Sequence, residues 1–213
     1  MMKVPTQKIH ANVLVAKDGS GQCKTIMEAV NLVPFNNVKA FVIYIKQGVY
    51  AENVVVDKNK TDVIFIGDGL KNWGDGFMAK DIRKHQAVAI RVVSDLATFY
   101  NCRFDGYQDT LYAVRSRQFY RHCTITGTID FIFGDAMAVF QNCKIILKKP
   151  LPYQQCIITA QGRQQYDGPG AFIFQNCTIT AEPNYYPFKA QNRAFFGPTM
   201  EGLLSDYLHT IIH

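Results

Sequence analysis

Charge is sparse in this 213-residue chain: 19% of residues are charged, and the net charge of +6 is scattered with no run of Lys and Arg. Nucleic-acid binding therefore has little to stand on, although a basic surface still suits an acidic polysaccharide. No apolar stretch approaches the roughly eighteen residues of a membrane-spanning helix. Heptads of Ala, Glu and Leu are missing, which excludes a coiled coil. None of the six cysteines forms a C-x-x-C pair, so a zinc ribbon or a thioredoxin-type centre is not expected. There is no G-x-S-x-G elbow, no phosphate-binding loop and no H-E-x-x-H. The opening Met1-Met2-Lys3-Val4-Pro5 lacks an apolar leader, so no signal peptide is expected in the chain as given.

What is present is 48% apolar residues, enough to bury a core, with Val, Ile, Phe and Tyr prominent. Short runs such as Val13 to Ala16, Phe41 to Ile45, Val63 to Ile66, Val88 to Val93 and Ile129 to Phe133 read as strands. One helix is expected early. Thr25-x-x-Glu28 forms a capping box, Ile26, Ala29, Val30 and Val33 recur at helical spacing, and Pro34 ends it.

A motif repeats. Phe99-Tyr100-Asn101-Cys102 is echoed by Phe119-Tyr120-Arg121-His122-Cys123, Phe140-Gln141-Asn142-Cys143 and Phe174-Gln175-Asn176-Cys177, whose cysteines lie 21, 20 and 34 residues apart. A strand-rich unit of about twenty residues marks a solenoid, here a parallel β-helix. Stacked equivalents would bring cysteines within disulfide reach. Cys102 with Cys123, or Cys143 with Cys177, are candidate bridges, and a ladder of buried free thiols is the alternative.

Two aspartates interrupt apolar segments: Asp109 in Gly106-Tyr107-Gln108-Asp109-Thr110-Leu111-Tyr112, and Asp130 in Gly127-Thr128-Ile129-Asp130-Phe131-Ile132-Phe133-Gly134. They are 21 residues apart, like Cys102 and Cys123, which makes them vertical neighbours on adjacent coils. Two carboxyls that close share a proton, giving one acid and one anion at a single pH. Strand alternation puts Ile129, Phe131 and Phe133 on the core side and turns Asp130 outward with Thr128 and Ile132. Gln108 and Gln86 add neutral amide donors suited to an oxyanion. A turn or bulge must intervene for Gln108 and Asp109 to face one site.

These segments resemble the plant pectinesterases (pectin methylesterases). The resemblance runs from about Asn12 to Tyr186. It also rests on Val15-Ala16-Lys17-Asp18-Gly19-Ser20-Gly21, Gly48-Val49-Tyr50-Ala51-Glu52-Asn53, His85-Gln86-Ala87-Val88-Ala89-Ile90-Arg91 and Thr159-Ala160-Gln161-Gly162-Arg163. It implies an all-β fold, a right-handed single-stranded parallel β-helix with a short N-terminal helix, as one domain over residues 1–213. It also implies hydrolysis of the methyl esters of polygalacturonate to pectate and methanol, without cofactor or metal. Asp130 would be the nucleophile, Asp109 the general acid and then base, and Gln108 the oxyanion stabiliser, with Gln86, Tyr112 and Phe131 contacting substrate. Pectin would be the partner, together with a proteinaceous pectinesterase inhibitor, and the protein a secreted cell-wall monomer that binds neither nucleic acid nor membrane.

The chain departs from the family pattern in four places. Where the family carries Leu-Gly-Arg-Pro-Trp, this sequence has Phe195-Phe196-Gly197-Pro198-Thr199, so the Arg that pairs with the nucleophilic carboxylate and the sugar-binding Trp are both absent. Arg193 is near but out of register. The stretches between Gly69 and Gly74 and between Ile82 and Lys84 are shortened, and the C-terminal coils are missing. A catalytically impaired pectin-binding protein is therefore the alternative expectation.

Overall fold

A computed structural model describes residues 10–68, 77–80, 88–162, 169–188 and 194–197, with the backbone alone for 77–80. Most of its strands form three parallel sheets wound into a right-handed β-helix, and Cys156–Ile157 with Ala194–Phe195 makes a separate two-stranded sheet. The first sheet is ordered Val13–Val15, Phe41–Ile45, Val63–Gly67, Ala97–Tyr100, Arg117–Arg121, Met137–Gln141 and Ala171–Gln175. The second runs Val54–Val56, Ile90–Val92, Leu111–Ala113, Ile132–Gly134 and Thr159–Gln161. The third runs Gly48–Tyr50, Phe77–Lys80, Cys102–Asp105, Thr124–Gly127, Lys144–Leu147 and Thr178–Ala181. Each coil passes from first sheet to third to second.

The repeated motif is the corner between the first and third sheets. Asn101, His122, Asn142 and Asn176 each take the left-handed conformation, with φ of 56°, 53°, 52° and 51°. Asn tolerates that region because its short amide bonds locally, and His is also enriched there. Each corner N–H up to Asn142 donates to the next coil: Asn101 to Arg121 O at 3.0 Å, His122 to Gln141 O at 3.0 Å, Asn142 to Gln175 O at 2.9 Å. The Asn176 amide also donates to Asn142 Oδ1 at 2.6 Å.

The residue two before each corner points inward. Phe65, Phe99, Tyr120, Phe140 and Phe174 form a stack with successive centroids 4.8, 5.0, 4.7 and 4.8 Å apart. Each ring pair is worth about 0.5–1.5 kcal/mol beyond its burial. The cysteines form a parallel column of free thiols rather than the candidate bridges. Cys123, Cys143 and Cys177 each donate to a carbonyl of the preceding coil, those of Phe99, Tyr120 and Phe140, at 3.4, 3.4 and 3.2 Å. Burial above all keeps the Cys123 thiol protonated.

The helix forms at Ile26–Leu32 with the Thr25/Glu28 capping box in place. Glu52 accepts the N–H groups of Ile26 and Met27 at 2.9 and 3.0 Å, which suits a carboxylate at a helix N-terminus. Ile26, Ala29 and Val30 are buried beside the first coil.

Replacing Asn142 by Ala removes the side-chain amide that makes Asn tolerant of a left-handed backbone, and with it the acceptor of the Asn176 hydrogen bond. Chemical denaturation should show a loss of about 1–2 kcal/mol, and Asn142→Gly should lose less.

Candidate functional site

Both aspartates lie where a coil leaves the third sheet for the second. The first crossing spans 106–110 and the second 128–131. Gly106 is required at the first: a Cβ there would lie 2.5 Å from Thr110 Oγ1. The buried Thr110 hydroxyl ties the turn down by donating to Thr126 O at 2.8 Å. At the second crossing a Cβ on Gly127 would meet Phe131 Cβ at 2.2 Å and Tyr107 O at 2.6 Å, so only glycine admits this close approach.

The two turns are laid one on the other. Thr128 N–H donates to Tyr107 O at 2.8 Å, Asp109 N–H to Ile129 O at 3.0 Å and Leu111 N–H to Phe131 O at 2.9 Å. With Leu111 in register with Ile132, Asp109 stands opposite Asp130. Both are left-handed, at φ 61° and 48°. A left-handed residue breaks strand alternation, and it lets Gln108 and Asp109, both half-buried, occupy one turn. Burial first, and then the charge of Asp109, raise the pKa of Asp130 above the ordinary carboxylate value.

The same backbone setting corrects the alternation expected around Asp130. The strand begins at Ile132, not Ile129, and Ile132 is fully buried while Phe133 faces outward. Phe131, expected against substrate, is fully buried in the core and has no surface to offer a polymer. The outer position belongs to Phe133, which stacks on Tyr112 at 4.4 Å and 11°. The Arg91 guanidinium lies 5.7 Å from the Tyr112 ring centre, continuing the column. Spacing alone could have revealed this: Arg91, Tyr112 and Phe133 are separated by the same 21 residues as the aspartates. Gln86 lies outside the described residues, as do Arg163 and Arg193.

Beside Gln108 opens a cleft of about 360 Å³. Tyr107, Thr128 and Lys148 line it with the 150–152 segment and Glu182. Lys148 and Asp105 form a buried ion pair here. Removing one partner of such a pair typically costs about 3–5 kcal/mol. At the far side, Ala194–Phe195 pairs with Cys156–Ile157, and Ile158 N–H donates to Phe195 O at 2.8 Å. Gly197 then packs so closely that a Cβ would lie 2.3 Å from Thr159 O. Among the described residues no group of three or more His, Cys, Asp or Glu side chains is placed to hold a metal ion.

Comparison with known proteins places this geometry in context. The family model described as Pectinesterase matches residues 12–73 and 70–201. The Arabidopsis thaliana protein named "Probable pectinesterase/pectinesterase inhibitor 58" is 51% identical over 89% of this chain and 39% of its own length. A Petunia integrifolia protein named pectinesterase is 44% identical over 94% of this chain and 61% of its own. The solved structure of pectin methylesterase from carrot superposes with a TM-score of 0.73 at 35% identity, covering 90% of this chain and 70% of that one. The chain thus spans about two fifths of the length of the first of these relatives and about three fifths of the second.

If the carboxylates are electrostatic neighbours, Asp109→Asn removes a charge that raises Asp130. The carboxyl-carbon NMR titration of Asp130 should then move to lower pH. An unmoved titration would mean that the two groups do not sense one another.

Proposed function

The chain belongs to the pectinesterase family, and from that premise we propose that it hydrolyses methyl esters of polygalacturonate to pectate and methanol in the plant cell wall. The observation that carries the reading is the pair of stacked aspartates in left-handed turns, where burial and then the charge of Asp109 raise the pKa of Asp130.

Such a pair titrates as a unit and holds a single proton between its two steps. Asp130, with its raised pKa, is the commoner holder of that proton. The reactive form is the one that carries it on Asp109, and there ionised Asp130 attacks the ester carbonyl carbon while the carbonyl electron pair moves onto oxygen. The Gln108 amide, with Gln86, donates to that oxyanion. Collapse of the adduct breaks the bond to the methoxy oxygen, and Asp109 transfers its proton to it, releasing methanol. The acyl group is left on Asp130. Asp109, now a carboxylate, takes a proton from water as the water oxygen attacks the acyl carbon. Asp130 leaves as a carboxylate, and the product is a galacturonate carboxyl group. Tyr112 and Phe133, half-buried on the outer face of the second sheet, stack on one another and leave ring edges against which a sugar can pack. A polyanionic product also agrees with the net positive charge of the chain. A proteinaceous inhibitor is a further proposed partner, and the working form is proposed to be a monomer.

Methanol release from methyl-esterified polygalacturonate tests the reading. Asp130→Asn should lower it by at least about a thousandfold. In the parent protein, activity should fall on the acid side as Asp130 takes up its proton, at a pH above the ordinary aspartate range. Retention on a pectin matrix that weakens with salt, with no methanol released by either protein, would instead identify a binding protein without turnover.

A further inference from the structure

Two buried charges take no part in the chemistry above. Asp105 and Lys148 pair with side chains each 9% exposed, and the Asp105 carboxylate also accepts from Thr126 Oγ1 at 2.7 Å. Arg103 is the further cation on Asp105, 3.7 Å away. Burial opposes the charge on Asp105, but the Lys148 and Thr126 hydrogen bonds outweigh it and keep the group ionised.

The placement of this pair is informative. Asp105 ends the strand Cys102–Asp105, directly before Gly106-Tyr107-Gln108-Asp109. Thr126 is its register partner on the next coil, one residue before Gly127. Lys148 follows the strand Lys144–Leu147 on the coil after that, and its N–H donates to Gly127 O at 2.8 Å. One carboxylate therefore ties three successive coils together at the points where they leave the third sheet, and two of those exits lead to Asp109 and Asp130. The Lys148 ammonium also lies 4.5 Å from the Tyr107 ring centre, next to Gln108. A buried ion pair is rarely the most stable way to fill such a space, since apolar side chains of similar volume often serve as well. What it adds is direction.

We propose that the Asp105–Lys148 pair, with Thr126, is a positioning device that holds the Tyr107–Asp109 turn in register over the Asp130 turn. It acts through the catalytic segment without touching substrate, and it rests on the hydrolytic reading given above.

The discriminating variant replaces the pair by an apolar one, Asp105→Leu with Lys148→Met. Thermal melting should show it folded, while kcat for methanol release falls about a hundredfold, as a displacement of about 1 Å at a reacting group can cause. KM should stay within about twofold, since the substrate face at Tyr112 and Phe133 is untouched. Wild-type kcat in the folded double variant would overturn the proposal, because the pair would then be filling space only. If the double variant does not fold, Thr126→Val decides in the same way: reduced kcat at unchanged KM supports positioning, and wild-type kcat overturns it. Should the parent protein release no methanol, the hydrolytic reading fails by itself. The positioning claim is then read from the carboxyl-carbon titration of Asp130. A titration displaced in the variant supports it, and one superimposable on the parent overturns it.

Discussion

The structure depends on each coil lying on the last without slipping. In a parallel sheet a one-residue slip reverses every side chain from core to solvent, and in a wound chain the error would pass to three sheets at once. The left-handed corners at Asn101, His122, Asn142 and Asn176 guard against this. Each turns the chain at a single left-handed residue with at most one more between the strands, so little slack is available in which register could drift. The inward ring two residues earlier and the inward thiol one residue later are carried along by the corner. The aromatic and cysteine columns are therefore consequences of the turn as much as supports for it.

The same register makes an electrostatically coupled pair from residues that are distant along the chain. Neither Asp109 nor Asp130 is unusual alone; each is a half-buried carboxylate in a tight turn. What makes them unusual is that the coil repeat puts one turn on top of another and glycine lets the two backbones approach. Burial and like charge then act together on Asp130. The protein builds its perturbed group from the same hydrogen-bond ladder that builds its walls.

Much of this could be read from the residues. The Phe-x-Asn-Cys repeat announced stacked coils, and the shared 21-residue spacing predicted that the aspartates would be neighbours. The capping box at Thr25 and Glu28 specified the helix by local chemistry alone. Where the reading failed, a backbone torsion was responsible. Strand alternation was carried through Asp130 as though it were extended, but its φ of 48° shifts the phase, so Ile132 turns into the core and Phe133 to the outer face. The pairing of Asp105 with Lys148 was also hidden, because their attraction joins residues 43 apart across an intervening coil. No local pattern records such a contact. The disulfide question had no sequence answer either, since stacked thiols and stacked bridges need the same spacing.

The corners and the crossings differ in one further respect. The corners of the repeat leave only one or two residues between strands, whereas the crossings from third to second sheet take three residues at 51–53, five at 106–110, four at 128–131 and eleven at 148–158. Length can therefore change along one edge of the molecule while the opposite edge stays fixed. The aspartates sit on the permissive edge, flanked by a longer segment that walls the adjoining cleft. An insertion there would reshape what the cleft admits and leave the winding undisturbed. Relatives with different tastes for substrate could thus diverge on this margin without any need to refold.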